Sequence, residues 1–148
     1  MLLFILITLA VSILFLILTD ETNLEQLRFI SLFSSSIVLI LSCLIASKFD
    51  FNVYYFQEVI SFDFGGLLDL NYSFGLDGIS LFFFFLSSLL IFSCLLFIWE
   101  EKKLYKEYAL NLLVIELFLL VIFSVLDLFL FYIFFEAILI PMYIIIGV

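Results

Sequence analysis

The chain of 148 residues has no histidine, one proline, five glycines, two cysteines and five basic side chains. Each shortage removes a class of chemistry. Without histidine there is no imidazole to serve as a general base near neutral pH or as a metal ligand. Cys43 and Cys94 sit far apart in apolar runs, with no spacing suited to a metal or an iron–sulfur cluster, and read as small apolar filler. The few glycines form no phosphate-binding loop and there is no strand–helix alternation, so no nucleotide has a recognisable cradle. Fourteen acids against five bases give a formal charge of −9. That balance speaks against nucleic acid as a partner and against a polybasic membrane-surface role.

What the chain has in quantity is apolar surface. Hydrophobic residues make up 68% and charged residues 13%, and the mean hydropathy is +1.44. The polar residues suffice only for short loops between runs of spanning length. The fold class is therefore an all-α membrane protein of five transmembrane helices, with a surface loop or hairpin between helices 2 and 3. Taken as a single transmembrane domain over residues 1–148, the expected spans are about 2–18, 29–47, 79–98, 108–126 and 128–147. The first run lacks the positive n-region of a secretory signal and the Arg-rich pattern of a transit peptide, so it is expected to be retained.

The loop at residues 19–28 carries Asp20, Glu21, Glu25 and Arg28. Beyond it, Ser31 and Ser34 to Ser36 can bond back to their own helix or pack against a neighbour. The segment 48–78 alternates weakly, with Phe51, Val53 and Tyr55 before Gly65-Gly66 and Tyr72, Phe74 and Leu76 after it. Two short strands or an irregular loop with aromatics at headgroup level both fit that pattern. Asp77 suits the N-cap of the third helix. Lys102, Lys103 and Lys106 follow Trp99 and hold three of the five positive charges. By the positive-inside rule their loop faces the cytoplasm or the organelle matrix, and the N-terminus and loop 48–78 face the opposite side.

Two carboxylates fall in the middle of apolar runs, Glu136 in the fifth and Glu116 in the fourth. An ionised side chain at bilayer depth costs about 2.5–3.5 kcal/mol on insertion scales. One reading of Glu136 is a structural acid bonded to a neighbouring helix. The other is a proton carrier, since burial raises a carboxyl pKa and a nearby cation lowers it again. Tyr132, four residues back, and Tyr143, seven on, share its helix face, though ordinary lipid- or bundle-facing aromatics explain them equally. Pro141 lacks an N–H, which frees the Ala137 carbonyl and predicts a kink.

Asp127 marks a turn between the fourth and fifth helices. The equal arms on either side of it put Glu116 and Glu136 at one depth, facing each other or separate neighbours. No Lys or Arg lies within an expected span, so a cationic partner is expected on other helices. The last run ends at Ile-Ile-Ile-Gly-Val without a charged or aromatic anchor, which also points to another polypeptide.

Two stretches resemble the mitochondrial NADH–ubiquinone oxidoreductase chain 4 family, the antiporter-like subunits of respiratory complex I. They are Phe74-Gly-Leu-Asp-Gly-Ile-Ser-Leu-Phe-Phe and Leu126-Asp-Leu-Phe-Leu-Phe-Tyr-Ile-Phe-Phe-Glu-Ala-Ile-Leu-Ile-Pro-Met-Tyr. The second is the specific one, holding Asp127, Glu136, Pro141 and Met142 at the family's spacing. The likeness covers about residues 71 to 148, while residues 1 to 70 match only in layout.

The resemblance implies that Glu136 pairs with a lysine on a seventh helix and takes part in moving protons, and that Glu116 matches a fourth-helix acid. It implies no cofactor on this chain, with FMN and iron–sulfur clusters on other subunits of an NADH dehydrogenase that reduces ubiquinone. The implied partners are other membrane-arm subunits, which the surface hairpin would touch, and lipids. The implied location is the mitochondrial inner membrane, with the N-terminus on the intermembrane-space side and loop 99–107 in the matrix. Heavy use of Phe, Leu and Ile with little Ala or Gly suits an AT-rich organelle genome.

The helices carrying the family's lysines and histidine are missing from this sequence. The expectation is therefore the N-terminal part of a split subunit, completed by a second chain. A cation/proton antiporter subunit and a structural subunit without its own proton path are the alternatives.

Overall fold

A long apolar run that must bond its own N–H and C=O groups adopts the α-helix, because a hydrocarbon surround offers those groups nothing else. The computed structural model describes all residues except 21–22, 54, 65–69, 102–103 and 148. Its helices are α1 (Leu2–Leu18), α2 (Leu24–Lys48), α3 (Gly78–Phe97), α4 (Tyr105–Ser124), α5 (Leu128–Ala137) and α6 (Leu139–Gly147). A short 3-10 turn, Ile98–Glu100, ends α3. Four segments are long and apolar enough to span a membrane, with α5 and α6 together forming the last as Leu128–Gly147. The 17-residue α1 is shorter and stands at the low end of the spanning range. Between α2 and α3 lies an antiparallel hairpin of β1 (Gln57–Phe64) and β2 (Leu70–Leu76).

The helix ends depart from the hydropathy reading in ways that local chemistry explains. α2 starts at Leu24, five residues ahead of the apolar run. Leu, Glu, Gln and Arg are all good helix formers, Glu25 suits the positive helix end, and Leu27 is fully buried. The first strand also lies later than the alternation suggested, since Phe51, Val53 and Tyr55 fall before β1. Asp50 accepts a hydrogen bond from the Asn52 N–H at 2.9 Å, and the Gln57 amide donates to the Asp50 carbonyl at 2.7 Å. Such local side-chain bonds fold the segment back on itself and compete with strand pairing. The expected Gly65-Gly66 turn lies outside the described residues, as do Glu21, Lys102 and Lys103 of the polar loops.

At the α3 entrance Asp77 forms a capping box, accepting from the Ser80 N–H at 2.7 Å while its own N–H donates to Ser80 Oγ at 3.0 Å. Hydrogen bonds from the Ser80 side chain and backbone hold the Asp77 carboxyl below its ordinary value.

α4 is the hub of the bundle and packs against α1, α2, α3 and the α5–α6 segment. Tyr105, Ala109, Leu113 and Leu120 on α4 are fully buried against Leu9, Leu27, Val38 and Phe84 from the surrounding helices. Serines serve as small contact residues between the helices. Ser42 Oγ on α2 and Ser88 Oγ on α3 lie 3.0 Å apart, and Ser31 Oγ lies 2.8 Å from the Tyr105 hydroxyl. The residues read as possible helix-internal bonders mostly do bond back, as Ser31, Ser34 and Ser36 donate to carbonyls one turn earlier.

Two bonds fix the end where α1 leaves and α4 begins. Arg28 donates to the Glu101 carbonyl at 3.2 Å, and Lys106 donates to the Thr19 carbonyl at 2.8 Å, capping the C-terminus of α1. At the opposite end the Met1 amine meets Glu58 of β1 at 2.7 Å. There β2 docks on the α4–α5 turn, with a bridge between Phe74 and Val125 and the Leu126 N–H donating to the Ser73 carbonyl at 2.9 Å.

Candidate functional site

The turn that separates the two membrane acids is built by Asp127. Its side chain accepts from the Phe129 N–H at 2.9 Å and so caps α5. Asp127, read from the sequence as a turn residue, thus stands at the N-cap of α5. From this cap α5 runs back along α4. The rings of Phe118 and Phe134 meet edge-on with centroids 5.7 Å apart. Two residues back along α4 is Glu116 and two residues on along α5 is Glu136, so an antiparallel pair registered by those rings holds both acids at one depth.

At that shared depth they point in different directions. Glu116 lies inside the bundle with no exposed surface, and neither carboxylate oxygen accepts a hydrogen bond from any described residue. Ser35 Oγ, on α2, is likewise buried without a partner among the described residues. An uncompensated charge in such a place costs several kcal/mol.

Glu136 is exposed. The face of α5 and α6 that meets the bundle is marked by Phe134, Ile138, Pro141 and Ile145. Glu136 stands two residues from both Phe134 and Ile138, about 200° around the helix from each, and therefore faces outward. The two acids do not face each other through the helix pair.

The remaining residues singled out from the sequence divide in the same way. Tyr132 approaches the Glu136 carboxylate from one turn earlier, and both lie on the outward face. Tyr143 shares that face and is 79% exposed, with no hydrogen bond to Glu136 among the described residues. Pro141 is buried and faces inward. The helix breaks at Ile138, between the freed Ala137 carbonyl and the proline that cannot reach it. The break puts a discontinuity two residues after Glu136.

The sequence reading did not single out the Ser31–Tyr105 and Ser42–Ser88 contacts, or the stacking of Arg28 on Trp99 at 5.1 Å. Serines placed on one face of an apolar helix were the available signal for the first two. Among the described residues no three His, Cys, Asp or Glu side chains come together as a metal-binding group.

Searched against protein-family models, the chain matches none. Individual proteins match well. NADH-ubiquinone oxidoreductase chain 4 of Chondrus crispus is 38% identical over 139 residues, 93% of this chain and 28% of that protein. The protein of the same name from Arabidopsis thaliana is 40% identical over 90% of this chain and 27% of its own length. The chain is homologous to NADH-ubiquinone oxidoreductase chain 4.

A bacterial relation extends the match. NADH-quinone oxidoreductase subunit M of Rickettsia typhi is 40% identical over 80% of this chain and 24% of its own length. The chain thus spans about a quarter of the length of these chain 4 and subunit M relatives, consistent with their N-terminal portion. The aligned part includes most of the bundle described above.

Proposed function

We propose that this chain forms the N-terminal part of a proton-translocating membrane-arm subunit of respiratory complex I, in the mitochondrial inner membrane. The observation that supports this reading most is the outward placement of Glu136. A carboxylate on an exposed face of a helix of spanning length, beside Tyr132, has no cation next to it on any described residue. At bilayer depth such a group needs a partner. The lysine expected to pair with it would come from helices outside this stretch.

Pairing with that lysine favours the charged carboxylate and separation favours the neutral one, so movement of either charge changes proton affinity at Glu136. The break at Ile138 gives the helix a place to adjust beside the acid. Glu116 serves the same path from inside the bundle, and Tyr132 supports Glu136 from one turn away. Redox chemistry belongs to other subunits, which carry FMN and iron–sulfur clusters. The loop at residues 99–107 would face the matrix, and the hairpin and N-terminus the intermembrane space, with the hairpin touching neighbouring subunits.

Substituting Glu136→Gln in the intact complex tests the reading. Assembly and NADH oxidation by uncoupled membranes should persist while proton pumping falls. Unchanged proton stoichiometry would overturn it. Mass spectrometry of the purified complex identifies the polypeptide that carries the helices outside this stretch. A complex in which no polypeptide supplies them would also overturn the reading.

A further inference from the structure

α2 is longer than a bilayer core requires. Its 25 residues extend roughly 37 Å at about 1.5 Å each, against a core of about 30 Å, so its first turns emerge at headgroup level. A groove of about 450 Å³ opens there, lined by Glu25, Arg28, Phe29, Phe33 and Trp99 among others. The charged residues are at the end of the helix and the aromatic ones lead from it towards the membrane centre. Trp99, half-exposed beside them, belongs at such an interface.

The two charges in this groove are unspent. The Arg28 guanidinium stacks over Trp99 at 5.1 Å and near the Tyr105 ring at 5.5 Å, and donates one N–H to the neutral Glu101 carbonyl at 3.2 Å. Its Nε has no acceptor, and no described carboxylate lies within 4.0 Å of it. Glu25, three residues earlier on the same helix, forms no ion pair or hydrogen bond with a described residue either. One groove therefore presents a cation held rigidly by two rings and, one turn away, a free carboxylate. Below them the rings of Phe29 and Phe33 stack at 5.6 Å and remain 67% and 57% exposed.

We propose that this groove binds a phospholipid whose headgroup carries a primary amine, with the phosphate on Arg28, the ammonium on Glu25 and an acyl chain along Phe29 and Phe33. The pairing of opposite charges selects a zwitterion over a purely anionic lipid, which Glu25 would repel. A primary ammonium donates hydrogen bonds to a carboxylate, whereas a quaternary choline has none to donate. The apolar continuation of the groove identifies the source as a lipid instead of free phosphate.

Trp99 is the single tryptophan of the chain and reports directly on the site. The full chain is reconstituted in phosphatidylcholine nanodiscs with brominated-acyl phosphatidylethanolamine, phosphatidylcholine or phosphatidylglycerol added in turn, and quenching of Trp99 is measured. The ethanolamine lipid should half-quench at a roughly fivefold lower mole fraction than the choline lipid, as one extra charge-assisted hydrogen bond would give. Glu25 is exposed, so Glu25→Gln leaves the fold unchanged and should make the two lipids equal. Glu25→Lys should move the preference to phosphatidylglycerol. Equal quenching by the ethanolamine and choline lipids in the unmodified chain would overturn the proposal. So would an ethanolamine preference that survives Glu25→Gln, or strongest quenching by phosphatidylglycerol without any substitution.

Discussion

Replacing Glu116 by leucine removes the most costly buried group in the bundle, and the size of the effect can be worked out. The side chain has no exposed surface, and its two oxygens have no hydrogen-bond partner among the described residues. A buried polar group left unsatisfied costs about 1–3 kcal/mol, and leucine fills a similar volume without the unpaired atoms. Because Glu116 is fully enclosed by this chain, no neighbouring subunit can reach it to repay that cost. Glu116→Leu should therefore stabilise the bundle by about 1–3 kcal/mol. For a chain of this size that raises the melting midpoint by about 2–4 °C per kcal/mol. The assay is thermal unfolding of the detergent-solubilised chain by far-UV circular dichroism. In the assembled complex the same substitution should lower proton pumping, which places the acid where function outweighs stability. A Glu116→Leu chain that melts lower than the unmodified one would refute the reasoning, since it would mean the carboxyl holds the bundle together.

Other outcomes follow from contacts away from the acids. The Ser42–Ser88 contact joins α2 to α3 at 3.0 Å, and a double-mutant cycle to alanine should show a coupling of about 0.6 kcal/mol, typical for hydroxyl bonds between membrane helices. Asp77→Ala removes the capping box of α3 and should cost about 1 kcal/mol in unfolding measurements. The Asp77 carboxyl is depressed by the Ser80 side chain, so its contribution is fully present above the ordinary carboxyl range. It is lost as pH falls through the lower, folded value, and an unfolding series in acid should show that loss vanish in Asp77→Ala. At Gly75 a Cβ would stand 3.1 Å from Phe56 Cβ and 3.2 Å from Leu126 Cδ1. Gly75→Ala should push the hairpin off the α4–α5 turn at a cost of about 1–3 kcal/mol, and faster hydrogen exchange at the Leu126 N–H, bonded to Ser73 at 2.9 Å, would show it.

The helices were legible in the sequence because membrane spanning leaves so few conformations. Runs of 17 to 25 residues with scarcely a charge have to satisfy their own backbone, and each did so as a helix. The helix ends were less legible, because hydropathy excludes charged residues that still favour helix. Leu24 to Arg28 joined α2 for that reason. β2 followed the alternation of Tyr72, Phe74 and Leu76. Phe51, Val53 and Tyr55 joined no strand, and Asp50 and Gln57 bind each other around them. The interruption at Ile138 was legible through Pro141, whose missing N–H acts regardless of packing. Which way each acid faces was not legible from spacing alone. Equal distance from a turn fixes depth, but azimuth depends on which helix face packs inward, and apolar residues surround both acids on every side.

That azimuth separates the two acids more sharply than their depth joins them. Phe118 against Phe134 sets Glu116 and Glu136 level, so any proton passing between them would travel across the helix pair and not along it. Glu116 looks into a packed core, where its carboxylate oxygens have no hydrogen-bond partner among the described residues. Glu136 looks away from the bundle, with Tyr132 beside it and a helix break at Ile138 just beyond. A carboxylate held inside can respond only to small motions of α1 to α4, because nothing outside reaches it. One held outside meets whatever packs on α5 and α6. Neutralising the two should therefore have separable effects. Glu136→Gln should change how the chain answers its partner helices, whereas Glu116→Leu changes the bundle itself. Glu116→Leu alone leaving pumping unchanged would mean that the inner acid lies off the path.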